Sequence, residues 1–537
     1  MNVITTPEGT RDRLFAECTD LRNAQSKLTK LFRGKGYEEI STPEIEYYDL
    51  FLQSGNPIPQ EALLKIVDRS GKLMVMRPDC TAPIARVACT KLKSAPLPQR
   101  LYYNETVFRS GAAHRGGSSE IPQCGIELLG AGGIQADVEA VSMAVEALAA
   151  VCPQGFRIEL GHAGLFRSLS EQMEMPKAKI EEMRMLIEGK HFAALDEFLA
   201  PYRDRPAYGL LSRLSRLFGG VEVLDEAEAL IGPRPELLYL RELHTALQAV
   251  GCGEFVCFDL GLVHQIDYYT GLVFRGYAKG AGAPVLSGGR YDNLLGAFGR
   301  PAPAVGFAVY MDLVSSETPV QESDTRLRIA LTKGRLQDKT VALMEKVGID
   351  CAPIKDPGRR LVHQLPNYPL DAVLAKAPDV ITYVEHGVCD LGVVGKDTIL
   401  ERGESPFYEV LDLGFGKCRF ALAVKEGTDF YGTYKTRRIA SKYPNVARKF
   451  FEDKGMDVDI IKIEGSVELA PILALADAIV DIVETGATLR ENGLIPIEDV
   501  APVSARLIVN TAAMKLKKPA ILDFIGKCQA GLEGAKC

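Results

Sequence analysis

The chain has no excess of basic charge: its 537 residues carry 63 Lys and Arg against 70 Asp and Glu, a net charge of −7 and a pI near 5.7. That argues against nucleic acid as the main partner, which leaves a basic footprint, while a local basic pocket for phosphates stays open. The 12 cysteines include no CxxC pair and no zinc-like Cys/His spacing, and the nearest two are Cys252 and Cys257. Scattered thiols of this kind suit a reducing compartment, where they are mostly buried and unpaired. The opening MNVITTPEGTRDRLF lacks a basic segment followed by an apolar run, so no secretory signal is read from it. The most apolar late stretch, LAPILALADAIVDIV, is interrupted by Asp477 and Asp481 and is too short to span a bilayer. A cytoplasmic protein is expected, with no membrane partner.

What is present is an ordinary globular balance, 47% hydrophobic and 25% charged residues. The length exceeds one core and suits three or four units of roughly 150 residues each. Residues 315–325, SSETPVQESDT, are polar, acidic and without apolar periodicity, and read as a linker. Before the linker, strand-like runs such as CGIELLG alternate with helical ones such as ADVEAVSMAVEALAAV. From about 165 to 248 the pattern is helical, as in an inserted subdomain. After the linker, apolar strands (LRIALT, LGVVG, FALAVK, AIVDIV) alternate with amphipathic helices. Such alternation predicts a mostly parallel, doubly wound sheet with ligands at the carboxyl ends of its strands.

The most informative short stretch is AIVDIVETGATLRENGL, 478–494. An apolar strand runs into Glu484-Thr485-Gly486-Ala487-Thr488, where a helix starts. Backbone N–H groups, the Thr485 and Thr488 hydroxyls and the helix N-terminus together form an anion cradle. Asp481 and Glu484 stand beside it, placed for ribose hydroxyls or a magnesium-bound water. An ordinary Thr cap with a Gly turn would produce the same letters. Neither His363 nor His386 has metal-ligand spacing, and both read as structural.

Five further stretches place that loop in context: LTKGRL (331–336), DPGRRL (356–361), DLGVVGKDT (390–398), FGKCRFALA (415–423) and GSVELAP (465–471). In this order they resemble the short form of ATP phosphoribosyltransferase across 326–537. The resemblance implies two α/β lobes around a cleft, like a periplasmic binding protein, with lobe 1 at about 326–417 and 505–537 and lobe 2 at about 418–504. It implies catalytic Lys333, Arg335, Arg359, Arg360 and Glu468. The loop for phosphoribosyl pyrophosphate (PRPP) would be Asp481, Glu484, Thr485, Gly486, Ala487 and Thr488. Lys396, Asp397 and Arg419 would line the ATP cleft, with Mg2+ accompanying PRPP and ATP and no protein-held metal.

The N-terminal part carries TPEGTRD (6–12), MRPDCTAPIAR (76–86), YNETVFRSG (103–111), IPQCGIELLG (121–130), GLVHQIDYYTGLVF (261–274), SGGRYDNLLGAFG (287–299) and PAVGFAVYMDLV (303–314). These resemble the class II core of histidyl-tRNA synthetase over 1–314, an antiparallel sheet flanked by helices. The resemblance implies a histidine pocket of Asp79, Thr81, Arg109, Gln123, Glu127, Tyr268 and Tyr269. Two arginines that hold ATP phosphates in such synthetases are replaced here by His264 and Leu313. Losing one such donor costs roughly 10²–10³ in rate, so adenylation is expected to be lost. A synthetase-like chain with these losses is similar to the regulatory subunit of short-form ATP phosphoribosyltransferases, here fused to its enzyme. The expectation is a transferase with a histidine-sensing module; four of each subunit in the family imply a homotetramer of the fusion. Retained histidine activation, or a C-terminal unit that only binds ligands, are the alternatives.

Overall fold

The computed structural model describes residues 5–53, 58–110, 118–205, 207–214, 216–263, 269–314, 326–356, 358, 360–403, 407–432 and 435–533. It divides into two units, 1–321 and 322–537. The expected linker, 315–325, lies outside the described residues.

The N-terminal unit is built on a nine-stranded sheet. Its centre is antiparallel: Gln99–Phe108, Glu120–Leu129, Ala304–Tyr310, Leu286–Arg290, Leu272–Ala278 and Phe156–His162 follow one another across it. The strand Glu120–Leu129 is buried along most of its length because both faces are covered. Small residues let the helix Ile134–Val151 lie close on one face, through Ala140, Ala144 and Ala147, with Val141 and Leu148 filling the gaps. Among the described residues the helical stretch read at about 165–248 forms six α-helices, from Ala163–Ser170 to Pro235–Ala249. Between the last helices the short strand Phe218–Gly219 pairs with Val256–Asp259 at the sheet edge. Lys190, between two of the helices, donates to Asp259 at 2.5 Å, both side chains almost fully buried.

The C-terminal unit has two mixed sheets where the alternation predicted a mostly parallel one. In the six-stranded sheet Leu370–Ala375, Leu327–Thr332 and Leu391–Gly395 run parallel, each joined through a helix. After Phe407–Asp412 the chain leaves to build the five-stranded sheet, Cys418–Lys425 to Leu494–Val503, and returns as Ala505–Asn510. The strands at the crossing points pair antiparallel, Cys418–Lys425 with Ala478–Val483 and Leu494–Val503, and Ala505–Asn510 with Leu391–Gly395 and Phe407–Asp412, whereas Arg437–Ser441 runs parallel to both Val458–Lys462 and Ala478–Val483. The C-terminal helix Lys518–Glu533 lies on Arg335–Lys346, and Lys346 Nζ donates to the Gly531 carbonyl at 2.6 Å. Among the described residues no helix is long and apolar enough to cross a membrane.

Candidate active site and effector pocket

The apolar strand Ala478–Val483 is anchored in the second core and delivers Glu484 to the surface at its end. Gly486, at φ 72°, makes the left-handed turn that a side chain would strain, and a short helix, Ala487–Glu491, follows. Leu489 points inward, so Glu484, Thr485, Ala487 and Thr488 stay exposed. The Thr485 hydroxyl accepts from the Ala487 N–H at 3.4 Å. Below the loop, the half-buried Asp481 accepts from the Ile482 N–H at 2.8 Å. Burial raises the Asp481 carboxyl above its ordinary range, the nearby Glu468 charge raises it further, and Lys442 opposes both.

The Lys333-Gly334-Arg335 turn follows the strand Leu327–Thr332 of the other sheet, with Gly334 at φ 93°. Its Arg335 guanidinium donates to both Glu484 carboxylate oxygens, at 3.0 and 3.2 Å. The turn and the loop, one from each lobe, therefore face each other. Lys333 is held by its backbone N–H on the Ala375 carbonyl. Arg359 lies outside the described residues, and Arg360 beside it is exposed.

Lys396 and Asp397 open the helix Lys396–Arg402. The Lys396 ammonium donates at 2.5 Å to Glu409, whose side chain is fully buried and also faces Arg506. Lys396 is thus committed to an internal charge network, with only a small part of it exposed. Asp397 accepts a hydrogen bond from Tyr443 at 3.2 Å. Arg419 pairs with Asp499 at 2.6 Å, and its backbone lies opposite Val483 at the base of the loop. Tyr443 and Cys418 were missed at the sequence level. Burial together with the charges of Asp397 and Glu484 raises the Cys418 thiol, and Arg335 opposes them. The only signal lay in SKYPN, where Pro444 at the first helical position holds Tyr443 at a strand-to-helix turn. Among the described residues no three His, Cys, Asp or Glu side chains gather as metal ligands.

In the N-terminal unit, Gln123, Gly125 and Glu127 share one face of their strand because side chains alternate. Across the sheet Glu127, Gly306 and Gly289 stand in register, so that face has a floor without side chains. A Cβ at Gly306 would collide with the Glu127 carboxylate, and one at Gly289 would sit 2.6 Å from the Tyr269 ring. Glu127 accepts from the Thr81 hydroxyl at 2.7 Å and from the Tyr291 hydroxyl. Burial pushes its carboxyl up to about 7, against those two hydrogen bonds, with Asp79 adding to the rise. Asp79 is likewise raised by burial, while Arg109 and the Ala82 N–H pull it down. Arg109 donates to the Pro78 carbonyl at 3.0 Å. Asp79, Thr81, Arg109, Glu127 and Tyr269 thus gather around one floor, with Gln123 farther along the same face of the strand and Tyr291 as a contributor that sequence reading passed over. Tyr268 and His264 lie outside the described residues. Leu313 is partly exposed on the short helix Met311–Val314, next to Asp312, which pairs with Arg13 at 3.0 Å.

Comparison with known proteins divides at the same place. Residues 9–314 match the family model for histidyl-tRNA synthetase, and residues 376–530 match that for ATP phosphoribosyltransferase. An ATP phosphoribosyltransferase of Clostridium kluyveri is 56% identical over 208 residues, 39% of this chain and 94% of the relative. An ATP phosphoribosyltransferase regulatory subunit of Clostridium acetobutylicum is 40% identical over 312 residues, 57% of this chain and 77% of the relative. A crystal structure described as an ATP phosphoribosyltransferase regulatory subunit/histidyl-tRNA synthetase from Bacillus halodurans C is similar at a TM-score of 0.54 and 30% identity. It covers 70% of this chain and 99% of its own.

Proposed function

The chain belongs to two families, the histidyl-tRNA synthetases through residues 9–314 and the ATP phosphoribosyltransferases through its C-terminal unit, and from that premise we propose how the halves work as one feedback-controlled enzyme. It is an ATP phosphoribosyltransferase of histidine biosynthesis carrying a synthetase-like regulatory module. We assign 1–314 to the module, 315–325 to the linker and 326–537 to the transferase.

In the reaction, adenine N1 of ATP attacks C1 of PRPP. The C1–O bond to pyrophosphate breaks and the pyrophosphate leaves with the bonding pair. Adenine N1 is already nucleophilic, so the demand on the protein is to neutralise the departing charge and align the two substrates. Thr485, Gly486, Ala487 and Thr488 offer N–H groups and hydroxyls to the phosphate of the phosphoribosyl group. Asp481 and Glu484 meet the ribose hydroxyls, and Lys333, Arg335, Arg359 and Arg360 take the pyrophosphate. Lys396, Asp397 and Arg419 border the ATP side. Magnesium arrives with the polyphosphates as part of the substrate. The Asp481 carboxylate, raised by burial and by its neighbour Glu468, fits a hard cation in second contact.

The observation that carries this reading is the Arg335–Glu484 pair, which joins turn and loop across 149 positions of sequence. In the free protein Arg335 is neutralised by the loop's own carboxylate, and a bound pyrophosphate would compete for it. In the module, the carboxylates Glu127 and Asp79 and the ring of Tyr269 over a glycine floor suit a small cationic amino acid with a planar side chain. We assign histidine as that effector. Histidine binding would favour one of two states of the whole chain, with coupling of about 1–3 kcal/mol. Four copies would satisfy the assembly that the family resemblance implies, a point for light scattering.

The test is formation of phosphoribosyl-ATP from ATP, PRPP and Mg2+, with histidine titrated against the native chain and Glu127→Ala. Product formation that loses its histidine response in Glu127→Ala supports the assignment. Full sensitivity in that variant would move the effector elsewhere. Histidine-dependent exchange of pyrophosphate into ATP would restore a synthetase activity to the module.

A further inference from the structure

Tyr443 stands at the turn between the strand Arg437–Ser441 and the helix Pro444–Asp453, in the lobe that carries the phosphoribosyl loop. Its hydroxyl donates to Asp397 Oδ2 at 3.2 Å, and Asp397 opens a helix of the other lobe. The hydrogen bond therefore crosses from one lobe to the other.

The ring and backbone of Tyr443 are held independently of that bond. Phe420 packs against the ring at 4.9 Å with the planes 76° apart. The Tyr443 N–H donates to the Ser441 hydroxyl at 2.9 Å, and that hydroxyl donates to the Val480 carbonyl at 2.6 Å. A second link between the lobes lies two and three residues on. Glu401, from the same helix as Asp397, accepts from the Asn445 and Val446 N–H groups at 3.0 and 3.2 Å, capping the helix of Tyr443. Packing and lobe attachment are thus served by Phe420, Ser441 and Glu401. The hydroxyl adds something else, a hydrogen bond to the Asp397 carboxylate. Burial and the charges of Asp397 and Asp481 keep the phenol protonated, so it acts as a donor and takes no part in proton transfer.

We propose that Tyr443 is a positioning residue of the phosphoribosyl transfer, which orients Asp397 on the ATP side against the lobe that holds PRPP. This rests on the reading of the cleft given above. Without the hydroxyl the carboxylate is free to rotate, and ATP meets a disordered wall while the PRPP loop is untouched.

The experiment is steady-state kinetics on the full chain, with ATP and PRPP varied separately, for Tyr443→Phe, Asp397→Asn and the double variant. Tyr443→Phe is expected to lower kcat/KM for ATP about tenfold, as loss of a hydrogen bond to a charged group does, with KM for PRPP unchanged. In the Asp397→Asn background, the same change is expected to have no further effect, since the hydroxyl acts through that carboxylate. Multiplicative losses in the double variant, or native kinetics in Tyr443→Phe, overturn the proposal. Should Tyr443→Phe also lower the melting temperature, Glu401→Gln supplies the comparison. Equal destabilisation there with intact ATP kinetics supports the positioning role, and an equal kinetic loss overturns it. A native chain that makes no phosphoribosyl-ATP overturns the reading of the cleft as well, whereas a native chain with turnover confines any failure to Tyr443.

Discussion

One carboxyl group, Glu127, contributes a pH dependence of its own to the N-terminal unit. Burial holds Glu127 near 7, above the ordinary glutamate value of 4.5, so between those values the folded chain keeps a proton that the unfolded chain has released. Its stabilising contribution is complete below about 4.5 and is lost as pH rises through 7. Thermal unfolding between pH 5 and 8 is expected to show a shallower decline in Glu127→Gln than in the native chain. The proposed binding of histidine is expected to follow the opposite course, because a cationic ligand needs the carboxylate charged. Calorimetric affinity should rise through pH 7 in the native chain and be weaker by roughly 10–100-fold in Glu127→Gln at pH 8. At the other site, Arg335→Ala removes the cation that we propose meets the departing pyrophosphate. We expect kcat to fall roughly 10²–10³-fold with little change in melting temperature, since the Arg335–Glu484 pair is exposed and contributes little to stability.

At the level of elements, the helical stretch is bound to the N-terminal sheet by a buried charge. Lys190, at the end of one helix, reaches Asp259 on the strand Val256–Asp259, and the pair is shielded from water. Lys190→Met would strip a buried carboxylate of its cation, at a cost of about 3–5 kcal/mol. Scanning calorimetry should show a lowered transition for the N-terminal unit, with the C-terminal unit's transition unmoved. The same level explains the glycine floor. Glycines 289 and 306 stand in register on adjacent strands, so the space above them is defined by strand pairing. Glu127 and Tyr269 then occupy that space from neighbouring elements.

For the whole molecule, one covalent chain holds the proposed sensor and the enzyme at a high effective concentration. A protease site placed in 315–325 tests this. Before cleavage, the histidine response should be independent of protein concentration. After cleavage, it should weaken on dilution, and recovery on concentrating the mixture would show that the linker supplies proximity alone. An unchanged response at every dilution would show that the units stay associated without it.

Much of this molecule was determined by the sequence alone, wherever the governing forces act over a few residues. An apolar run specified the strand Ala478–Val483, and a Thr-Gly-Ala-Thr run at its end specified an exposed turn into a helix. Ordered motifs then carried both family assignments. Tertiary structure decided what those residues meet. It made both sheets of the C-terminal unit mixed where a mostly parallel one was expected, since strand direction depends on where a connection returns. It gave Arg335 to Glu484 across 149 positions, Tyr443 to Asp397 across 46, and turned Lys396 toward the buried Glu409. No local pattern encodes such meetings, because each depends on how separately folded elements pack, and packing is settled only when the whole chain has closed on its cores.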